Sequence, residues 1–331
     1  MRSNWYFSVV CLLLFFSGIQ AQTSITGRIF SAKDSSFVQG ASIYFDGTSI
    51  GTSSGPNGHF ALNLKDHITS DIIISSVGYK SIALQVDSQH KAVRFSVYLK
   101  ESEESLPTVF LEDDPWSRKK KLAYFKQEFL GAGSAAKSCK ILNEDQLELT
   151  YSPSSKKLRV YSNEPLIVQN DYLAYKLQYD LLEFEAVYSA SEIAVEVYYA
   201  GTSFFQDQEK LRKKHLKARE MSYAGSSLHF MRSLKNEELL HNQFQLYSDD
   251  RELFIKDVFE LKEFPNYTQV LPLVNNIRIR FRQHYWSFLK LESSFIIDDY
   301  GNFAPPRALT FGGDMSARRV STMLPLDYPS N

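Results

Sequence analysis

A chain of 331 residues with 37 basic and 38 acidic side chains has a net charge of −1, which excludes the broad attraction that nucleic acid or an anionic membrane surface demands. Aromatic residues make up 14% of the chain, mostly 24 Phe and 19 Tyr, a composition that suits sheets with well-filled faces. The length is ample for two domains with sizeable cores, and two cysteines are too few for a disulfide-stapled scaffold.

Residues 1–21 have the three-part pattern of a secretory signal peptide: Arg2, an apolar run over 9–16, then Gly18-Ile19-Gln20-Ala21. Cleavage is expected after Ala21, and the run is too short to span a bilayer comfortably. Cys11 lies inside the run, behind Ser8-Val9-Val10, which fits a lipoprotein cleavage site poorly. Loss of this segment leaves Cys139, which reads as a small buried side chain.

Short alternating stretches follow. Ile25, Gly27 and Ile29 alternate; residues 41–45 follow Gly40; Phe60, Leu62 and Leu64 alternate; Ile72-Ile73-Ile74 is apolar throughout. Ile82, Leu84 and Val86 alternate, as do Val93, Phe95, Val97 and Leu99, and residues 109–111 are a last candidate. Turn residues separate them, most strongly Gly55-Pro56-Asn57-Gly58, so an antiparallel β-sandwich is expected over 22–100. In order and spacing, Ile25-Thr26-Gly27-Arg28-Ile29, Gln39-Gly40-Ala41, Gly51-Thr52, Gly58-His59-Phe60 and residues 74–80 resemble the carboxypeptidase regulatory-like domain of exported Bacteroidota proteins. The resemblance implies an accessory transthyretin-like or Ig-like all-β sandwich without peptidase activity. The chain departs from it at Gly55, where the family has an acidic residue.

Residues 101–115 are acidic and polar, punctuated by Pro107 and Pro115, and read as a linker to a second domain over 116–331. Residues 116–130 read as a helix with Leu122, Phe125 and Phe129 on one side; Gly131-Ala132-Gly133 lacks dinucleotide-binding spacing and reads as its terminus. Strands are expected at 147–151, 156–161 and 166–168, then along Tyr175-to-Leu181 and Ile193-to-Tyr199 alternations. After a helical hairpin come strands at 244–247, 253–259, 277–281, 285–291 and 295–297. The second domain is therefore expected to be α+β, with a mostly antiparallel sheet. Asp298-Asp299-Tyr300-Gly301-Asn302 reads as a hairpin turn with incomplete calcium-ligand spacing.

The densest set of chemistry-bearing side chains is residues 219–234, REMSYAGSSLHFMRSL. On a wheel of about 100° per residue, Phe204, Phe205, Leu211 and Leu216 share an arc with Arg212, His215 and Arg219, while Lys210, Lys213, Lys214 and Lys217 fan outward. An inward arginine demands a partner, since a buried unpaired charge is costly. Gly225 breaks the run, and Ser226 or Ser227 can cap a second helix with Leu228, Phe230, Met231 and Leu234 on one side and His229 directly opposite. Either this is a helical hairpin packed on a sheet, with His229 and Arg232 solvated or paired to a strand, or Arg219, Tyr223, Ser226, His229 and Arg232 line a polar pocket.

None of the seven histidines begins an HxxE or HExxH pattern, and no GxSxG elbow occurs, so no catalytic residue, metal or cofactor is assigned. The second region resembles the C-terminal part of short Bacteroidota proteins that carry the regulatory-like domain. The matching residues include Trp116 with Phe125 and Glu128 to Gly131; Glu164-Pro165-Leu166; Arg219, Tyr223, Gly225, Ser226 and His229; Tyr300-Gly301-Asn302; and Leu324-Pro325 with Asp327-Tyr328. It implies an exported protein of the periplasm or outer membrane, peripherally associated with that membrane. Two functions are carried forward. One is a noncatalytic envelope protein whose sandwich docks and whose α+β domain binds a protein or glycan partner. The other is an envelope hydrolase with a polar pocket around Arg219, Ser226 and His229.

Overall fold

The computed structural model describes residues 23–64, 70–85, 92–102 and 113–329. The expected signal peptide, most of the linker and the candidate strand at 109–111 lie outside the described residues.

The first module is built from β1 (Thr23–Ser31), β2 (Ser42–Phe45), β3 (Gly51–Ser53), β4 (His59–Leu64), β5 (Ile72–Ser75), β6 (Ile82–Leu84) and β7 (Ala92–Leu99). They form two facing sheets, β4-β1-β7 and β3-β2-β5-β6. Their inner faces meet through Ile25, Ile29, Phe60, Val97 and Leu99 on one side and Ile43, Phe45, Ile72 and Ile74 on the other. One pair departs from the antiparallel expectation: β1 runs parallel to β7, Ser24 facing Ala92 through to Ser31 facing Leu99. Parallel pairing needs a long connection, and these strands are the first and last of the module. The turn at 55–58 closes by a Gly58 N–H donating to Gly55 O at 2.9 Å. A Cβ on Gly58 would sit 2.4 Å from Ile29 O, at φ +65°, so only glycine fits.

The Ile72-Ile73-Ile74 run is explained by what lies outside the sandwich. Ile72 and Ile74 face inward, while Ile73, with Tyr44, turns to the opposite face and packs on Phe204 of the next module. The strand is apolar on both faces because both are covered.

The second module comprises α1 (Arg118–Leu130), α2 (Gly133–Lys137), β8 (Cys139–Ile141), β9 (Leu147–Ser152), β10 (Lys157–Ser162), β11 (Leu166–Asn170), β12 (Tyr175–Tyr188) and β13 (Ala194–Asp207). Ser117 caps α1, accepting from Lys120 N–H, and Phe125 and Phe129 are fully buried against the sheet. The sheet is antiparallel in the order β8-β11-β12-β10-β9, with β13 along the other side of β12. In β12 the buried residues are Tyr175, Leu177, Tyr179 and Leu181, then Phe184, Ala186 and Tyr188. The change of parity coincides with a bulge between Leu181 and Glu183, which leaves Leu182 65% exposed and re-aims the strand's second half.

The third module follows the helical hairpin α3 (Lys213–Tyr223) and α4 (Ser227–Lys235). Its elements are β14 (Phe244–Ser248), β15 (Arg251–Leu253), α5 (Ile255–Val258), β16 (Phe259–Phe264), β17 (Tyr267–Pro272), β18 (Asn276–Phe281), β19 (Tyr285–Leu291), β20 (Phe295–Asp298), β21 (Phe303–Ala304), β22 (Leu309–Gly313) and α6 (Asp314–Ala317). Two antiparallel sheets result, β15-β14-β18-β19-β22 and β16-β17-β20-β21, and Phe230, Met231 and Leu234 of α4 share their core. The stretch expected as one strand at 253–259 is instead the end of β15, the short α5 and the start of β16. Asp257 Oδ2 accepts from Phe254 N–H at 2.9 Å, a cap that turns the chain between the sheets.

The region after residue 116 therefore holds two hydrophobic cores. The late segment 318–329 ties them together and to the sandwich. Val320 and Leu324 enter the second module's core, Leu326 N–H donates to Gly47 O at 2.6 Å, and Asp327 accepts from Ser49 N–H at 2.7 Å. The sandwich also seals part of the β13 edge: Gly47 N–H donates to Ser203 O and Phe205 N–H to Thr48 O, at 2.8 and 3.0 Å.

Candidate functional site

The helical hairpin positions all five candidate residues; His215 and Arg219 face inward and the lysines outward as expected, but the apolar members of the expected arc and Arg212 do not share that side. Phe204 and Phe205 belong to β13, and Leu211 and Leu216 are 43% and 51% exposed. Arg212 is exposed as well, its backbone N–H donating to Nδ1 of His215 at 3.1 Å. The buried side of α3 is His215, Ala218, Arg219 and Ser222. Its arginine meets the carbonyl groups of residues 173 and 174, while Ala218 packs into the second module's core.

Arg219 satisfies those carbonyls. Its Nε donates to Leu173 O at 2.8 Å and its Nη2 to Ala174 O at 3.1 Å and to Asp207 Oδ1 at 2.6 Å. The guanidinium lies 3.6 Å above the centre of the Tyr175 ring. The inward arginine thus has the partners its burial demands.

Between the helices, Gly225 adopts φ +74°, and a Cβ there would meet the Phe281 ring at 2.5 Å. Ser226 is the N-cap of α4, its Oγ accepting from His229 N–H at 3.1 Å. The His229 ring does not point away from the apolar side. It folds back over the cap, and its Nδ1 accepts from Gly225 N–H at 3.1 Å. It packs against Tyr223, Phe244 and Phe281, with ring centres 4.7, 4.9 and 5.7 Å away. Burial, then Arg232, Arg318 and Arg282, push its pKa down to about 4. A backbone N–H can only donate, so Nδ1 is the unprotonated nitrogen and Nε2 carries the proton.

Arg232 grips the late segment. Nε donates to Tyr300 O at 2.9 Å, Nη1 to Tyr328 O at 2.9 Å and Nη2 to Leu326 O at 2.6 Å, with Tyr223 Oη 3.4 Å from Nη1. Arg318, which the sequence pattern did not single out, does the converse. From the late segment it donates to Ser222 O and Ala224 O at 2.7 and 2.8 Å, capping the C-terminus of α3.

The five residues do not share one pocket. Tyr223, His229 and Arg232 border a polar cavity of about 440 Å³ with Lys235, Asp299 and Tyr328. Ser226 faces a different cavity of about 340 Å³ between the modules, with Asp46, Asn302 and Arg319. Arg219 lies on a third, with Tyr175, Asp207 and Asp327. In the second of these, burial raises the Asp46 pKa to about 6, although Ser203 N–H donates to its Oδ1 at 2.7 Å.

The remaining candidates resolve locally. Cys139 is buried, which pushes its thiol up to about 12. Asp298 Oδ1 accepts from the N–H groups of Tyr300 and Asn302, each at 2.9 Å, which makes the expected hairpin turn. Among the described residues no cluster of three or more His, Cys, Asp or Glu could hold a metal ion, and no helix is long and apolar enough to cross a membrane.

Among solved structures, the chain is similar to a type II cohesin-X-dockerin complex from Acetivibrio cellulolyticus, at 14% identity over 34% of this chain and 79% of that one, with a TM-score of 0.23. It is similar to a DUF3823 family protein from Bacteroides ovatus at 8% identity, over 57% and 82%, with a TM-score of 0.18. A 9R-lipoxygenase from Cyanothece matches at 10% identity, over 66% and 49%, with a TM-score of 0.21. Likeness this slight carries no argument about function. No curated protein matches the chain. Residues 25–111 match the CarboxypepD_reg-like domain family, and the N-terminal sandwich is a carboxypeptidase regulatory-like domain.

Proposed function

We propose that this is an exported, noncatalytic cell-envelope protein of the Bacteroidota type, in which the regulatory-like sandwich docks and the α+β region binds a protein or glycan partner. The observation that carries the reading is the commitment of the hairpin's polar groups. The one lone pair of the neutral His229 ring takes Gly225 N–H, Ser226 Oγ takes His229 N–H, and Arg219 and Arg232 hold backbone carbonyls. A hydrolytic base would need Nε2 unprotonated and within reach of a nucleophile, and the Gly225 hydrogen bond holds the opposite tautomer.

Two further features support the reading. The outer face of the sheet β4-β1-β7 carries a row of rings, Phe37, Phe30 and Tyr98, with centres 5.5 and 5.1 Å apart, and Phe37 and Tyr98 are about half exposed. Such a row suits docking. The charged, apolar and small-residue pattern of residues 1–21 supports export, with the periplasm or outer-membrane surface as the location.

The test pairs fractionation with a stability measurement. The mature protein is expected in the envelope fraction with Gln22 at its N-terminus; recovery in the cytoplasm with Met1 intact would reject the location. His229→Ala is expected to lower the melting temperature while leaving binding of an envelope partner intact. Turnover of any ester, amide or glycoside by the wild type that vanishes in a folded His229→Ala variant would reject the noncatalytic reading.

A further inference from the structure

The outer face of the sheet β15-β14-β18-β19-β22 is not used by the core, and the residues it displays are unlike an ordinary solvated surface. Inward, β19 places Ser287, Leu289 and Leu291; outward, it places Trp286, Phe288 and Lys290. Beside them in register stand Arg280, opposite Trp286, and Arg278, opposite Phe288, with Asn276 opposite Lys290. Gln245 and Tyr247 extend the two rows onto β14.

The two large rings are held as platforms. Phe288 lies over Gly312 of the neighbouring strand, so closely that a Cβ on that glycine would fall 1.7 Å from the ring. With its underside on backbone, the ring presents its other face to solvent and is 54% exposed. Trp286, 39% exposed, packs against the tilted ring of Tyr247, 5.4 Å away, and the guanidinium carbons of Arg278 and Arg280 lie over the indole, 5.4 and 5.6 Å from its centre. A cross-strand ring laid over an edge-strand glycine shields that strand's backbone, and it also fixes the ring flat on the sheet. Two such platforms at alternate positions of one strand stand about 7 Å apart.

Cations outnumber carboxylates at the strand positions themselves, while Asp250, Glu292 and Asp314 flank the face. The strands put Arg278, Arg280 and Lys290 on it against one carboxylate, Glu252, whose Oε1 accepts from Gln245 Nε2 at 2.9 Å. The ion pairs Arg278 makes with Asp250 and Lys290 with Glu292 are solvent-exposed. Exposed pairs are weak and readily exchanged for a ligand carboxylate. Arginine also presents a flat fork that matches a carboxylate in two hydrogen bonds.

We propose that this face binds an acidic polysaccharide, a chain of pyranose rings bearing carboxylate groups. Successive sugar rings stack on Trp286 and Phe288 while Arg278, Arg280 and Lys290 take the carboxylates. Cations that can exchange exposed partners for ligand carboxylates select this occupant over a neutral glycan, and the flat platforms select it over a polyanion without rings. The inference deepens the proposed glycan-binding role and rests on it.

The test is affinity electrophoresis of the full mature chain through gels containing polygalacturonate, dextran or polyglutamate, at low and at 0.3 M salt. Retardation by polygalacturonate, weakened by salt and absent with dextran and polyglutamate, is the expected result. Trp286→Ala and Phe288→Ala should each weaken it at least tenfold with the melting temperature little changed, and Arg278→Gln should weaken it and reduce its salt dependence. No retardation by polygalacturonate, equal retardation by polyglutamate, or unchanged binding by folded Trp286→Ala and Phe288→Ala would each overturn the proposal. The proposed noncatalytic role fails separately, by the turnover test on His229→Ala, so the two failures are distinguishable.

Discussion

Among the places where arginines and aromatic rings meet in this molecule, two are arranged in opposite ways. At the helical hairpin, Arg219 and Arg232 are turned inward and hydrogen-bonded to carbonyls of their own chain. On the outer sheet face, Arg278 stands beside exposed rings with one exposed ion-pair partner, Asp250, and the half-buried Arg280 donates from Nε and Nη2 to Gln245 Oε1. The residue types are nearly the same, yet the first arrangement closes the fold and the second leaves donors facing solvent. Side-chain chemistry alone therefore does not mark a binding site; what matters is whether the groups have been consumed by backbone.

The comparison is broken most forcefully at Arg232. Arg232→Ala should cost roughly 3 kcal/mol, because three half-buried carbonyls lose a charged donor at once. Urea denaturation should report the loss, and limited proteolysis should show new cleavage near Leu326. Arg232→Lys should restore less than half of it, since an ammonium cannot fork to three acceptors. Arg219→Ala should cost about 2 kcal/mol by the same mechanism. Asp207→Ala should cost under about 1 kcal/mol, because that carboxylate is 62% exposed and its pairing is screened. If Asp207→Ala proved the more damaging, the carbonyl account would be wrong.

Acid should separate two buried groups with opposite signs. The Asp46 pKa is raised from its ordinary 3.8 to about 6, so its contribution to stability is fully present below about pH 4 and is lost as the pH rises through 6. The His229 pKa is lowered from 6.5 to about 4, so its contribution is present above 6.5 and is lost as the pH falls toward 4. The two slopes oppose one another across nearly the same window. Asp46→Asn should make the protein more acid-labile between pH 6.5 and 4 than the wild type, and His229→Gln should make it less so, as read by melting temperatures across that range. Parallel curves for all three proteins would reject both assignments.

The smallest effects on stability belong to the exposed face. Trp286→Ala and Phe288→Ala should each change stability by no more than about 1 kcal/mol, as surface changes do, and Gly312→Ala, at a buried position, by no more than about 2 kcal/mol. Gly312→Ala is the most telling, because lifting the Phe288 ring off its glycine should weaken polysaccharide binding without removing any side chain. A large loss of stability from any of the three would assign the face to the core.

Much of this architecture was legible from pattern. Strand alternation located the sandwich and β18, β19 and β20, and the Ser226 cap and Gly225 break were readable from their residue types. The failures have physical causes. Helical spacing was assigned to Phe204 and Phe205 because the wheel cannot see that β13 extends to Asp207. His229 was placed on the wrong side because its ring bends back to a backbone N–H, a contact outside any periodic count. Pattern alone does not divide residues 116–331 between the two cores, since nothing local marks where one sheet stops recruiting side chains. The exposed face did leave a signal: β19 has large rings at 286 and 288 and leucines at 289 and 291, so neither of its faces is plainly polar.

The segment at 318–329 has a consequence for the order of assembly. Synthesis proceeds from the first residue, so the sandwich and most of both later sheets leave the ribosome before Val320, Leu324 and Leu326 exist. Until then the second module's core has a vacant place and Arg232 has no acceptors at 326 and 328. The sandwich and the second module can meet earlier through Gly47, Thr48 and Phe204, but the grip of Arg232 on residues 326 and 328 waits for that segment, so the third module is the last to be locked in place.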